Sequence, residues 1–127
     1  MSIKALLTRI LEALSVDYVV EEGTSGIWTY RKWASGKAEC WGATTIRATS
    51  NTASGQVNFS EGIQVNLPFT MSDWDYVISA ICGSYMMYMA NYSRNRAYFT
   101  IRLCRISSAI PTGTDIDVLF SIKGRWK

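Results

Sequence analysis

Ile27-Trp28-Thr29-Tyr30-Arg31-Lys32-Trp33, then Ala34-Ser35-Gly36-Lys37, then Ala38-Glu39-Cys40-Trp41-Gly42-Ala43-Thr44-Thr45-Ile46-Arg47-Ala48, is the stretch that decides the fold. In its first part Ile27, Thr29 and Arg31 alternate with Trp28, Tyr30 and Lys32. Side chains of an extended chain point to opposite faces in turn, so this period of two in aromatic and β-branched residues predicts a strand. Ala34–Lys37 has the small and polar residues of a hairpin turn. Ala38–Ala48 predicts the returning strand, with Cys40, Trp41 and Ile46.

The same grammar runs outward in both directions. Tyr18, Val19 and Val20 give Asp17–Glu22 strand character, and Gly23-Thr24-Ser25-Gly26 is a turn cluster. Asn51–Gly55 reads as a polar loop. Val57, Phe59, Ile63, Val65, Leu67 and Phe69 keep the period of two, with Pro68 marking an edge or a strand end. Met71–Trp74 reads as a turn. Tyr76–Cys82, Tyr85–Tyr92 and Ala97–Ile106 are three further expected strands, with Asn91–Arg96 as a hairpin tip. After the break at Pro111–Thr114, Ile116–Lys123 places Val118, Phe120 and Ile122 on one face. Short strands between turn signals predict a sandwich or a barrel.

The first residues differ. Residues 2–15 predict a helix, with Ser2 as its cap. Ile3, Leu7, Ile10 and Leu14 are spaced four, three and four apart, which is a heptad seam. Leu6 and Leu11 widen the stripe, and Lys4, Thr8, Arg9 and Glu12 lie outside it. A helix this short is marginal alone in water. Two arrangements are open: it packs on its own domain, or it bundles with copies of itself.

The 127 residues suit one domain, and 48% hydrophobic with 18% charged residues is a globular composition. The net charge of +3 is too small and dispersed to point to nucleic acid. Three cysteines without CxxC spacing make no disulfide framework, so Cys40, Cys82 and Cys104 are expected reduced and mostly buried. Arg9 and Glu12 interrupt the leading apolar residues, so the expectation is no signal peptide and no membrane insertion. The chain has no histidine. That removes Ser-His and Cys-His nucleophile pairs in their common forms, and the usual zinc sets. No phosphate loop or dinucleotide fingerprint is present, and neither a cofactor nor a metal is expected. Carboxylates remain: Asp73 and Asp75, Asp115 and Asp117, and Glu61. Two such groups suffice for glycoside hydrolysis, although turn and surface acids are the plainer reading. Trp28, Tyr30, Trp33 and Trp41 read as core or, if exposed, as a plate for sugar rings. Tyr85, Tyr88 and Tyr92, interleaved with Met86, Met87 and Met89, pose the same choice.

The run Glu22 to Trp33, then Ser35-Gly36, then Ala38-Glu39-Cys40-Trp41-Gly42, resembles a signature of tail-fibre and minor structural proteins of Firmicutes prophages. Leu67-Pro68-Phe69 and the ending Phe120-Ser121-Ile122-Lys123-Gly124-Arg125-Trp126 resemble further elements of such head domains. The resemblance covers residues 18–126. It implies a mainly β fold, a compact antiparallel β-sandwich in residues 17–127, preceded by one N-terminal α-helix in residues 1–16 acting as a trimerisation neck. It also implies a non-enzymatic homotrimer, made in a bacterial host cytoplasm and carried in the virion tail. Its partners would be a host cell-surface glycan or protein and other phage tail proteins. This chain has no long shaft and no histidine motif for a fibre-tip metal.

Within that reading Ile3, Leu7, Ile10 and Leu14 form the expected trimer interface. Tyr92, Arg94, Asn95 and Arg96 are the first receptor-binding candidates, combining an aromatic face, two guanidinium forks and an amide on a loop. The alternatives are a fibre-associated glycan hydrolase using Asp73, Asp75 or Glu61, and a single-strand nucleic-acid-binding β-barrel.

Overall fold

The computed structural model describes residues 2–14 and 16–127; Ser15, the expected last residue of the helix, lies outside them. The protein is mainly β, with one N-terminal helix and then two antiparallel five-strand sheets forming a β-sandwich. Helix α1 covers Ile3–Ala13, and Ser2 Oγ accepts from the Ala5 N–H at 3.0 Å, the expected cap. No α1 residue is buried. Ile3, Leu6, Leu7, Ile10 and the C-cap Leu14 all face water, so the helix does not pack its stripe on its own domain.

The first sheet runs in the order β1 (Val19–Ser25), β2 (Trp28–Trp33), β3 (Lys37–Arg47), β10 (Asp115–Arg125), β7 (Val77–Cys82). In the second, β9 (Tyr98–Ile106) is central. It pairs with β5 (Val57–Phe59) and β6 (Ile63–Asn66) on one side and β8 (Met87–Arg94) on the other, and β4 (Thr52–Ser54) lies beyond β5. Between β5 and β6 the ladder is bridged by Ser60. Its N–H donates to Leu103 O and its Oγ accepts from Leu103 N–H, both at 2.9 Å. The hydroxyl thus takes the place of a strand carbonyl and leaves no buried donor unpaired.

The period of two sets what is inside. Trp28 stands opposite Gly42 and Tyr30 opposite Cys40, on the inner face. Ile116, Val118, Phe120 and Ile122 of β10 are buried, as are Phe99, Ile101 and Leu103 of β9. The rings of Trp28, Phe99 and Phe120 meet pairwise at 5.5–6.4 Å, tilted or edge-on, the packing that their quadrupoles favour.

Four local expectations change. Asn51–Gly55 is not a loop throughout: Thr52–Ser54 forms β4, a fully exposed edge strand with no need of large apolar residues. β1 runs on to Ser25, so the turn shrinks to Gly26 and Ile27, with Gly26 at φ +59°. The tip expected at Asn91–Arg96 shrinks to Asn95–Ala97, because β8 continues to Arg94. Tyr85 and Met86 belong to a turn rather than a strand, both left-handed at φ +62° and +52°.

All three cysteines are free; Cys40 is buried, while Cys82 and Cys104 are half-buried. Burial, then the Glu39 charge, pushes the Cys40 thiol up to about 12. Burial raises the other two as well. Since the thiolate is the reactive form, iodoacetamide at neutral pH should leave Cys40 unlabelled until denaturant is added. Cys82 and Cys104 should label slowly in the folded protein. Mass spectrometry of the alkylated peptides checks the order.

Candidate functional site

The sandwich has two distinct ends. At one, the chain enters from α1. Asp17 accepts from Ser35 N–H and Oγ at 3.0 and 2.7 Å. Arg125 Nη2 donates to Ser35 O at 3.0 Å, and Ser72 N–H to Arg125 O at 2.8 Å. Met71 N–H donates to Arg96 O at 2.8 Å, and Arg96 Nε returns a bond to Met71 O at 2.9 Å. This chain of bonds places the Asn95–Ala97 tip at the same end as the root of α1. The Gly55–Gln56 turn, the Gly83–Met86 turn and the Ser107–Thr114 loop occupy the other end, tied by Ser107 N–H to Gln56 O, Gly83 N–H to Asp117 O and Gly113 N–H to Ala48 O.

The receptor candidates are brought together, in a braced corner. Tyr76 is fully buried and its hydroxyl donates within a pair of main-chain oxygens, Asn95 O at 2.7 Å and Tyr98 O at 2.9 Å. Arg94 Nη1 donates to Tyr76 O at 2.8 Å, with its guanidinium 5.1 Å from the Tyr92 ring centroid and 5.9 Å from that of Tyr76. Tyr92 itself lies on β8 opposite Ile101 and is exposed. Asn95 Oδ1 accepts from Ala97 N–H at 3.3 Å. Both guanidiniums therefore spend a donor on a main-chain carbonyl, which ties Arg94 to Tyr76 and Arg96 to Met71.

The aromatic hairpin divides between faces. Trp28 is core, its Nε1 donating to Asn66 O at 2.7 Å. Tyr30 packs edge-on to Phe69 at 5.5 Å, and Lys32 Nζ lies 4.7 Å from the Phe69 centroid and 5.5 Å from that of Trp126. Lys32 also pairs with Glu21 at 2.7 Å, so this aromatic box is filled by the protein's own cation. Trp41 points to the outer face opposite Thr29, under the Arg31 guanidinium at 5.4 Å. The terminal motif pins the hairpin: Trp126 Nε1 donates to Trp33 O at 2.8 Å and Trp126 N–H to Gly36 O at 2.9 Å. A Cβ at Gly36 would stand 2.5 Å from Arg125 Nη2. The residues carrying the resemblance thus support one another, a role in folding.

A cleft of about 490 Å³ opens beside β6, with Trp28 and Ile46 on one side and Ile63, Val65 and Pro68 on the other. Its exposed lining is mainly apolar, and sequence patterning did not single it out, because its apolar members Trp28, Ile46, Ile63 and Val65 also read as core.

The carboxylates are engaged separately. Asp73 Oδ1 accepts from Asp75 N–H at 2.9 Å in a tight turn, and Asp115 pairs with Arg47 at 2.9 Å. Glu61 holds the strand end after β3, accepting from Thr49 N–H at 2.9 Å, Ser50 N–H at 3.0 Å and Ser50 Oγ at 2.9 Å. Burial raises its pKa, but the N–H and hydroxyl donors outweigh it and hold the carboxyl down at about 2. A group so held is a poor general acid near neutrality. Because the folded value lies below the ordinary one, its contribution is present above about pH 5 and is lost as pH falls toward 2. Glu61→Gln should cost about 1 kcal/mol at pH 7, allowing for solvent screening, and less at pH 3. Urea midpoints at the two pH values test this; an equal loss at both would show that the charge is irrelevant.

Among the described residues no group of three His, Cys, Asp or Glu could hold a metal ion, and no helix is long and apolar enough to cross a membrane. Comparison with known protein families, curated proteins and solved structures returned no match for this chain.

Proposed function

We propose that the protein is the tip of a phage or prophage tail fibre, a homotrimer that carries no catalysis and binds a glycan or protein on the host cell surface. One observation carries the reading. A sandwich with its own core is preceded by a capped helix whose heptad seam of Ile3, Leu7, Ile10 and Leu14 stands exposed. A helix of 11 residues gains little stability from its own hydrogen bonds and needs its apolar stripe covered. Leu at one seam position and Ile at the other favours assemblies above dimers. Gathering three such helices would give the head a neck and present its far end to a partner three times, so weak contacts gain by avidity.

The Gln56, Ser107 and Tyr85 loops at that far end are free to vary without disturbing the core. Light scattering on the dilute protein tests the assembly. A mass three times that of the chain is expected, and a monomer would overturn the neck and with it the fibre-tip reading.

A further inference from the structure

The turn joining β7 to β8 is not built for stability. Tyr85 and Met86 are consecutive, neither is glycine, and both are left-handed. A side chain in that conformation crowds the following carbonyl, which is why consecutive left-handed turn positions favour Asn and Gly. Tyr85 is 41% and Met86 75% exposed, so core packing does not offset the strain. Ser107, in the neighbouring loop, is left-handed too, at φ +62°. Strain held in exposed side chains is a feature that functional sites keep.

What surrounds the turn has a definite chemistry. The Arg105 guanidinium lies 6.0 Å from the Tyr85 ring centroid, and its Nη1 donates to Ala109 O at 3.0 Å. Arg105 thereby joins Tyr85 to the loop that, with Gln56 and Asn58, lines a polar depression of about 390 Å³. Amides brace the floor: Asn58 Nδ2 donates to Ser108 O at 2.8 Å, and Asn51 Nδ2 to Asn58 Oδ1 at 3.0 Å. Ser107 Oγ and Gln56 Oε1 stand 3.5 Å apart at the rim. No carboxylate lines the depression.

We infer that this depression, with Tyr85 and Arg105 beside it, is a saccharide-binding site. A sugar ring lays its C–H face on Tyr85, and its hydroxyls exchange hydrogen bonds with Gln56, Ser107 and Arg105. The assignment of the sugar to a host-surface glycan rests on the fibre-tip reading; the site itself does not.

The probes are the methyl glycosides of glucose, galactose, rhamnose and N-acetylglucosamine, titrated into ¹⁵N-labelled protein. Amide shifts confined to residues 56, 85, 105 and 107–109 with at least one of them are expected. Tyr85→Asn combined with Met86→Gly suits the left-handed turn, so its Tm should rise by about 4 °C or more while glycoside affinity falls about tenfold. Gln56→Ala should weaken binding with Tm unchanged. Unchanged affinity in both variants, shifts gathered at Asn95–Arg96 instead, or no shifts with any glycoside would each overturn the site. Mass is measured on the same samples. A trimer that ignores all four sugars sinks the site and leaves the fibre reading standing, whereas a monomer that binds here does the reverse.

Discussion

Gly42→Ala is expected to remove most of the stability of the domain, on the order of 4 kcal/mol or more. Gly42 faces Trp28 across the β2–β3 ladder. A Cβ there would be driven into the carbonyl oxygen of Ile27 and stand 3.0 Å from its carbon. These are backbone atoms, so no side-chain rotation relieves the contact. Nor can β3 retreat, since it is paired with β10 from Lys37–Arg125 to Arg47–Asp115 on its other side. The tight approach brings the Trp28 indole against Phe120 and lets its N–H reach Asn66, so the two sheets are tied together at this point. Gly26→Ala is the matched control. Nothing stands within 4 Å of a Cβ there, and only the φ of +59° opposes it, at about 1 kcal/mol. Thermal and urea unfolding of both variants decide the point. Equal losses would mean that the close approach at Gly42 does not constrain the fold.

Gly42 lies in a stretch whose sequence was transparent. Trp28 and Tyr30 alternate with Thr29 and Arg31, and Val118, Phe120 and Ile122 sit two apart, so the inward faces of β2 and β10 could be read from spacing alone. Those faces line a sandwich interior, where burial enforces the pattern. β4 was hidden because Thr52-Ala53-Ser54 is exposed at an edge and buries nothing that could leave a pattern. The Tyr85–Met86 turn was hidden for the opposite reason. Its residues are aromatic and aliphatic, which read as strand, and the left-handed backbone is visible only in three dimensions. Candidate binding residues were the least legible. Arg94 and Arg96 look like free cations in the sequence, and their donors go to Tyr76 O and Met71 O, partners 18 and 25 residues away. Spacing also cannot decide whether a heptad seam turns inward on its own domain or outward; the exposure of Leu7 and Ile10 settles the direction.

Replacing Leu7 and Ile10 together by Asp should reduce the particle to a single chain while leaving the sandwich folded. Ile3, Leu6, Leu7, Ile10 and Leu14 are between 47% and 86% exposed in the isolated chain. Together they leave roughly three side chains' worth of apolar surface in water, and covering it is worth roughly 5–9 kcal/mol per chain before the entropy of association is subtracted. Two carboxylates in the seam remove the central part of that surface, and three copies would bring six like charges to one axis, where they repel and lose water. The sandwich should hardly respond, because no α1 residue is buried and the ties at its root run through Asp17 and Tyr18 rather than through the seam. A change within about 0.5 kcal/mol in its urea unfolding is expected, as for other exposed substitutions. Lys4→Asp, outside the seam and near the positive end of the helix, should leave the mass unaltered. Light scattering gives the mass and urea titration the stability. A double variant that keeps the wild-type mass would show that the seam is not the neck. A double variant that unfolds would show instead that α1 belongs to the sandwich, contrary to the exposure of every seam residue.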